Sequence, residues 1–160
     1  MAAPLRISAR SHYAIRIVAH LALAGHGTFV KADTIADEQN VPRRFLNNII
    51  ADLRDARLVV TQRGADGGTA LARPAASISL ADVLASAPTE PRPEPSTDRN
   101  VAGSDVWALV QRSIEQILHG VTVDDIALGK VPEIVRVVNT STNLELRAAP
   151  AAPDEWLHDL

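Results

Sequence analysis

The chain has 160 residues, enough for one domain with an appended element and for a core that needs no cross-link. It contains no cysteine, which excludes disulfides, a thiol nucleophile and any iron–sulfur or zinc site built on its own thiolates. Aromatic residues make up 3%, too few for a platform that stacks single-stranded nucleic acid. The net charge of −3 is unevenly divided. Residues 1–75 carry ten basic and six acidic side chains, and residues 76–160 carry six and thirteen. A basic first half suits a polyanionic partner, although a local excess of this size also occurs in ordinary proteins. The most apolar early stretch, 14–25, is short and contains Arg16 and His20. The first residues lack the apolar core of a signal peptide, so a cytoplasmic protein with no membrane segment is expected.

Residues 8–23 read as a first helix. Ser8 is placed to cap it, and Tyr13, Ile17, Leu21 and Ala24 recur at helical spacing. Gly25 and Gly27 end it. A short second helix covers 32–39, with Ile35 and Ala36 inward. After a tight turn at Asn40-Val41, Pro42 opens a third helix that runs to about Ala56. Its apolar face is Phe45, Leu46, Ile49, Ile50 and Leu53; Arg43, Arg44, Asn47, Asn48 and Arg54 are left outward. Residues 58–63 read as a strand, Gly64-Ala65-Asp66-Gly67-Gly68 as a hairpin tip and 69–72 as the returning strand. This order is that of a winged helix–turn–helix: mainly α, with one small β-hairpin.

A fourth helix is expected over 80–87. Residues 88–103 hold four prolines and read as a loop or linker. Residues 104–120 form a long helix of roughly 25 Å. Trp107, Val110, Ile114, Ile117 and Val121 mark a seam spaced 3, 4, 3, 4. This helix either packs within its own subunit or pairs with a second copy; its place beyond a linker favours pairing. One more helical turn is expected over 122–127 and a short helix over 132–138, with a tail at 147–160. The organisation is therefore a winged domain over 1–87, a Pro-rich loop over 88–103, a dimerisation region over 104–128 and a C-terminal tail over 129–160.

Little in the chain supports catalysis. The hairpin glycines fit neither phosphate-loop pattern, and no helix starts directly after them. His12, His20, His26, His119 and His158 form no close ligand pair, and no metal or cofactor site is assigned. Asp124-Asp125 is explained by the dipole of a helix start. The third helix differs. In helix–turn–helix proteins the start of the second helix enters the major groove. Arg there matches guanine and Asn matches adenine through bidentate hydrogen bonds. Arg43, Arg44, Asn47 and Asn48 occupy that position, and a solvated polar face is the plainer alternative. Arg63 sits where a wing passes the DNA backbone, Gly64, Gly67 and Gly68 let that wing turn closely, and Ser8 and Arg10 suit phosphate contacts.

These residues resemble the Rrf-two family of bacterial regulators, which includes iron–sulfur-cluster, nitric-oxide and cysteine-metabolism repressors. The matching segments are LRISARSHYAIRIVAHLAL, TIADEQNVPRRFLNNIIADLRDARLV, RGADGGTALARP, ISLADVLASA and VTVDDI, in the family's order. The resemblance implies a homodimer that binds an inverted-repeat operator in double-stranded DNA, usually as a repressor. Two reading heads about 34 Å apart follow from such a dyad. Carried over by position, the base-reading set is Pro42, Arg44, Phe45, Asn47 and Asn48, with Arg63 on the wing. Arg43 is added for its exposed place on the helix. Asn47-Asn48 replaces the family's usual acid and Gln, Arg57 stands where Gly commonly follows the third helix, and Thr69 where an aromatic is usual. Cluster-binding members carry cysteines in the loop that is here 88–103.

The expectation is a dimeric DNA-binding regulator without an iron–sulfur cluster. Its effector is unknown: a small-molecule site between the winged domain and the long helix, near Trp107, and control by the protein's own abundance without a cofactor fit equally well. The alternative is a protein-interaction module that keeps the fold and has lost DNA binding.

Overall fold

A computed structural model of the protein describes residues 8–87 and 104–136. The elements are α1 (Ala9–Ala24), α2 (Ala32–Glu38), α3 (Arg43–Asp55), β1 (Val59–Gln62), β2 (Gly68–Leu71), a 3-10 turn (Ala75–Ser77), α4 (Leu80–Ser86), α5 (Ser104–Gly120) and α6 (Val123–Ala127). The Pro-rich loop 88–103 and the tail from 137 onward lie outside the described residues.

Helix α1 forms where the apolar spacing demands it. Ala14, Ile17, Val18 and Leu21 are buried on one stripe, and the Ser8 hydroxyl accepts the Ser11 N–H at 3.1 Å. Pro42 is the N-cap of α3 rather than its first helical residue, a one-residue difference at a boundary where helices fray. Helices α2 and α3 then stop in the same way. The Val41 N–H reaches back to the Ala36 carbonyl (3.0 Å), and the Leu58 N–H to that of Leu53 (2.9 Å). Both are six-to-one closures that need a left-handed residue just past the helix. Asn40 (φ 48°) and Arg57 (φ 58°) fill those places. The apolar pairs Val41/Ala36 and Leu58/Leu53 are buried behind them. Arg57 is thus the costly member, because a Cβ-bearing residue in that region is strained.

The wing is antiparallel, with Val59 opposite Leu71 and Gln62 opposite Gly68. Val30 adds one more rung: its N–H donates to the Thr69 carbonyl at 2.9 Å and its carbonyl accepts from Thr69 at 2.8 Å. This close approach explains Gly68, where a Cβ would lie 2.4 Å from the Val30 carbonyl oxygen.

The second half is tied to the first by a short antiparallel junction. The Leu80 N–H donates to Val121 (2.7 Å), and the Val123 N–H to Ile78 (2.9 Å), pairing Ser79 with Thr122. Each of that pair is also an N-cap with a reciprocal box: Ser79 with Asp82 opens α4, and Thr122 with Asp125 opens α6. Ile78 and Val123 are fully buried in the same core as α1 and α3. The segment 104–128 therefore divides: α6 returns to the winged domain, while α5 leaves it. Toward its end α5 packs on α4 with Ile114, Ile117 and Leu118 half-buried. Toward its start Val106, Trp107, Leu109 and Val110 are exposed. Residues 133–136 are helical, as the expected short helix requires. Among the described residues no helix is long and apolar enough to cross a membrane.

Arg57→Gly is expected to stabilise the protein by about 0.5–1 kcal/mol, whereas Gly68→Ala costs about 2 kcal/mol, both read from urea unfolding midpoints. The two box carboxylates set an acid limit. Burial raises the Asp82 pKa, but hydrogen bonds from the Ser79 backbone and hydroxyl, with the charges of Arg73 and His119, outweigh it and hold it below its ordinary value. The Thr122 hydroxyl and then its backbone N–H do the same for Asp125. Depressed folded-state values mean that the stabilisation is complete above the ordinary carboxylate range and is lost as pH falls through the folded values. Unfolding from pH 7 down to 2 is expected to show this loss. In Asp82→Asn and Asp125→Asn it is shallower, with about 1 kcal/mol less stability at pH 7.

Candidate nucleic-acid interface

Four buried side chains, Leu46, Ile49, Ile50 and Leu53, seat α3 in the core. That seat turns the opposite face outward: Pro42, Arg43, Arg44, Phe45, Asn47 and Asn48 are all exposed. The exposed set does not act as one group. Arg43 bends back to α2, bonding Asp33 at 2.6 Å and Asp37 at 3.5 Å. Both pairs are solvent-exposed and link the two helices of the turn. Arg44 instead lies over the Phe45 ring, 4.6 Å from its centroid. Phe45 in turn stacks on Tyr13 of α1, with centroids 6.4 Å apart and planes inclined by 25°. Asn47 and Asn48 have no hydrogen-bond partner among the described residues and stand ready for an external one.

Helix α1 brings its N-terminus to the same side of the domain as α3. Arg10 donates from Nε to the Asp52 carboxylate of α3 at 2.8 Å, and its Nη2 bonds the same oxygen. Arg10 therefore links the start of α1 to the last turn of α3. Ser8 caps α1 and shares a 2.8 Å hydroxyl contact with Ser11. On the wing, Arg63 is exposed immediately after β1 and has no partner among the described residues. Gly64 is exposed with φ 112°, a conformation that favours glycine. Gly67 is buried, and a Cβ there would lie 2.3 Å from the Gln62 carbonyl oxygen. Gly67 and Gly68 thus shape the wing from inside; among the three glycines, Gly64 presents backbone outward.

Sequence reasoning missed Tyr13, which it placed only on the apolar stripe of α1. The available signal was Tyr13 and Phe45 as two of the chain's five aromatics, but no spacing rule links positions 32 residues apart. Asp52 was missed for the same reason.

This geometry has counterparts. The model of a family described as Rrf2, iron-dependent transcriptional regulator, matches residues 7–128. The chain belongs to the Rrf2 family. A Mycobacterium tuberculosis protein named as the HTH-type transcriptional regulator Rv1287 is 39% identical over 139 residues, spanning 82% of this chain and 86% of the relative. The solved structure of CymR, the global cysteine regulator of B. subtilis, matches with a TM-score of 0.67 at 25% identity, over 79% of this chain and 99% of that one. The structure of T. potens IscR matches with a TM-score of 0.63 at 25% identity, over 93% and 95%. The protein is thus a DNA-binding transcription regulator with a winged-helix fold, and regulation rather than catalysis is the work of its family.

The family description raises iron, and the donor set decides whether it fits. The chain has no thiolate to offer a cluster. Among the described residues, no three His, Asp or Glu side chains converge in a way that could hold a metal ion. A cysteine-ligated iron–sulfur cluster does not fit this chain, and no step of its action is routed through one.

Arg10→Ala and Asp52→Ala, combined in a double-mutant cycle, are expected to show a coupling of about 0.5–1 kcal/mol in urea unfolding, the range of a partly exposed ion pair. A coupling near zero would mean that Arg10 is free for phosphate and does not brace α3.

Proposed function

We propose that this protein is a homodimeric repressor that occupies an inverted-repeat operator and needs no iron–sulfur cluster to do so. The observation that carries the dimer is the uncovered apolar start of α5. Val106 and Leu109 are 66% and 62% exposed, and Trp107 and Val110 lie beside them. Four large apolar side chains on adjacent turns are costly to leave in water, at about 25 cal/mol per Å². A second copy of the same helix covers them by a two-fold contact, which presents two α3 helices to DNA. Arg44, Asn47 and Asn48 supply the choice of sequence; Arg63 with the start of α1 supplies affinity through phosphates. Pro42 and Phe45 complete the reading set, and repression follows from occluding the promoter. Arg43, clamped to Asp33 and Asp37, contributes by holding the helix angle.

The test is selection of bound duplexes from a random pool by the purified protein at near-physiological salt. An enriched inverted repeat is expected, with half-sites about one helical turn apart. The Arg44→Ala, Arg63→Ala double variant is expected to lose it. Arg43→Ala is expected to weaken binding to all sequences alike while keeping the same base preferences. No enrichment, together with retained binding to a protein partner in the double variant, would favour an interaction module that keeps the fold without reading DNA.

A further inference from the structure

Phe45 makes two ring contacts at the start of α3: its ring stacks on the Tyr13 phenol, and the Arg44 guanidinium lies over it. The Arg44 side chain makes no ion pair among the described residues, so the ring is what orients it. An Arg laid on an aromatic face keeps its planar donors free along its edge while its stem is held. The Phe45 ring keeps 40% of its surface exposed next to that cation. The guanidinium carbon lies 4.6 Å from the ring centroid, so the cation and the ring are near enough to meet neighbouring base pairs of B-DNA, whose rise is roughly 3.4 Å.

In the major groove these two surfaces have distinct complements. The guanidinium fork matches guanine O6 and N7, and an aromatic edge matches the C5-methyl group of thymine. We propose that Arg44 and Phe45 together read a single dinucleotide step, a guanine next to a methyl-bearing pyrimidine, with Tyr13 as the positioning residue behind them. The inference rests on α3 entering the major groove and goes beyond it by naming the chemical groups read. Tyr13 touches no base in this arrangement; it fixes the ring on which Arg44 lies. Two methyl-bearing pyrimidines present the same group, thymine and 5-methylcytosine, and the test separates them.

The experiment uses the full-length protein and the duplex it enriches. The guanine whose preference disappears in Arg44→Ala is located first. The thymine beside it is then replaced by deoxyuridine, which removes only the methyl group. Binding is expected to weaken about fourfold, the worth of one buried methyl. Phe45→Ala is expected to bind the thymine and uracil duplexes equally, while the milder Phe45→Leu retains part of the difference. Cytosine in place of that thymine, with and without a 5-methyl group, shows whether 5-methylcytosine is accepted. Tyr13→Ala is expected to reduce the guanine preference about tenfold while leaving the slope of affinity against salt unchanged, since no phosphate contact is lost. Tyr13→Phe is expected to restore it. Thermal unfolding of each variant confirms that it is folded. Equal binding of the thymine and uracil duplexes by the native protein, or an Arg44-dependent guanine with no thymine beside it, would overturn the inference and leave the groove reading intact. An Arg44→Ala variant with unchanged base preferences would overturn both.

Discussion

The outward face of α3 is fixed by what lies on its inward face. Leu46, Ile49, Ile50 and Leu53 fill the centre of the core with no more than 7% of their surface exposed. At 3.6 residues per turn, seating those four leaves only one orientation for Arg44, Asn47 and Asn48. The remaining contacts refine that orientation. Arg43 ties the start of α3 to α2, Asp52 ties its last turn to Arg10 of α1, and Phe45 rests on Tyr13. Three independent struts from two helices therefore hold a reading surface that burial has already aimed. Holding polar groups in place before binding lowers the ordering cost that binding would otherwise carry.

A second constraint links that surface to α5. The junction of residues 78–80 with 121–123 is only a few hydrogen bonds long. It joins two helix N-caps back to back, and both flanking apolar residues, Ile78 and Val123, are fully buried. Asp82 serves its own cap and also bonds Arg73 at the root of the wing, at 3.0 Å. The end of α5 packs on α4, the helix that this carboxylate caps.

Much of this fold was legible from local signals. Ser8 as a cap, the apolar period of α1 and α3, the glycines of the wing and the a/d seam of α5 each act within a few residues, and the elements they predict are present. The family resemblance, carried by runs such as TIADEQNVPRRFLNNIIADLRDARLV, is the family that the comparisons show. Features that escaped reading are those made by distant partners. Arg43 and Arg10 read as DNA contacts, and charge alone does not reveal that Asp33 and Asp52 also stand within reach. Tyr13 read as part of the inward stripe of α1 and does pack against the core; its second contact, with Phe45, is the part that spacing could not show. The left-handed Arg57 was visible only as a departure from the family's glycine, and its conformation explains why glycine suits that place. Helix α6, read within the region 104–128, also reaches the core, because the pairing at Ile78 brings Val123 into it.

In the proposed complex α3 lies in the major groove with Arg44 against guanine. Methylation protection of guanine N7, which lies open in that groove, tests it most directly on a duplex the protein has enriched. Two protected guanine clusters about one helical turn apart are expected, each lost with Arg44→Ala. Guanine N7 that stays fully reactive under a bound protein would contradict it, because backbone or minor-groove contacts would then carry the binding.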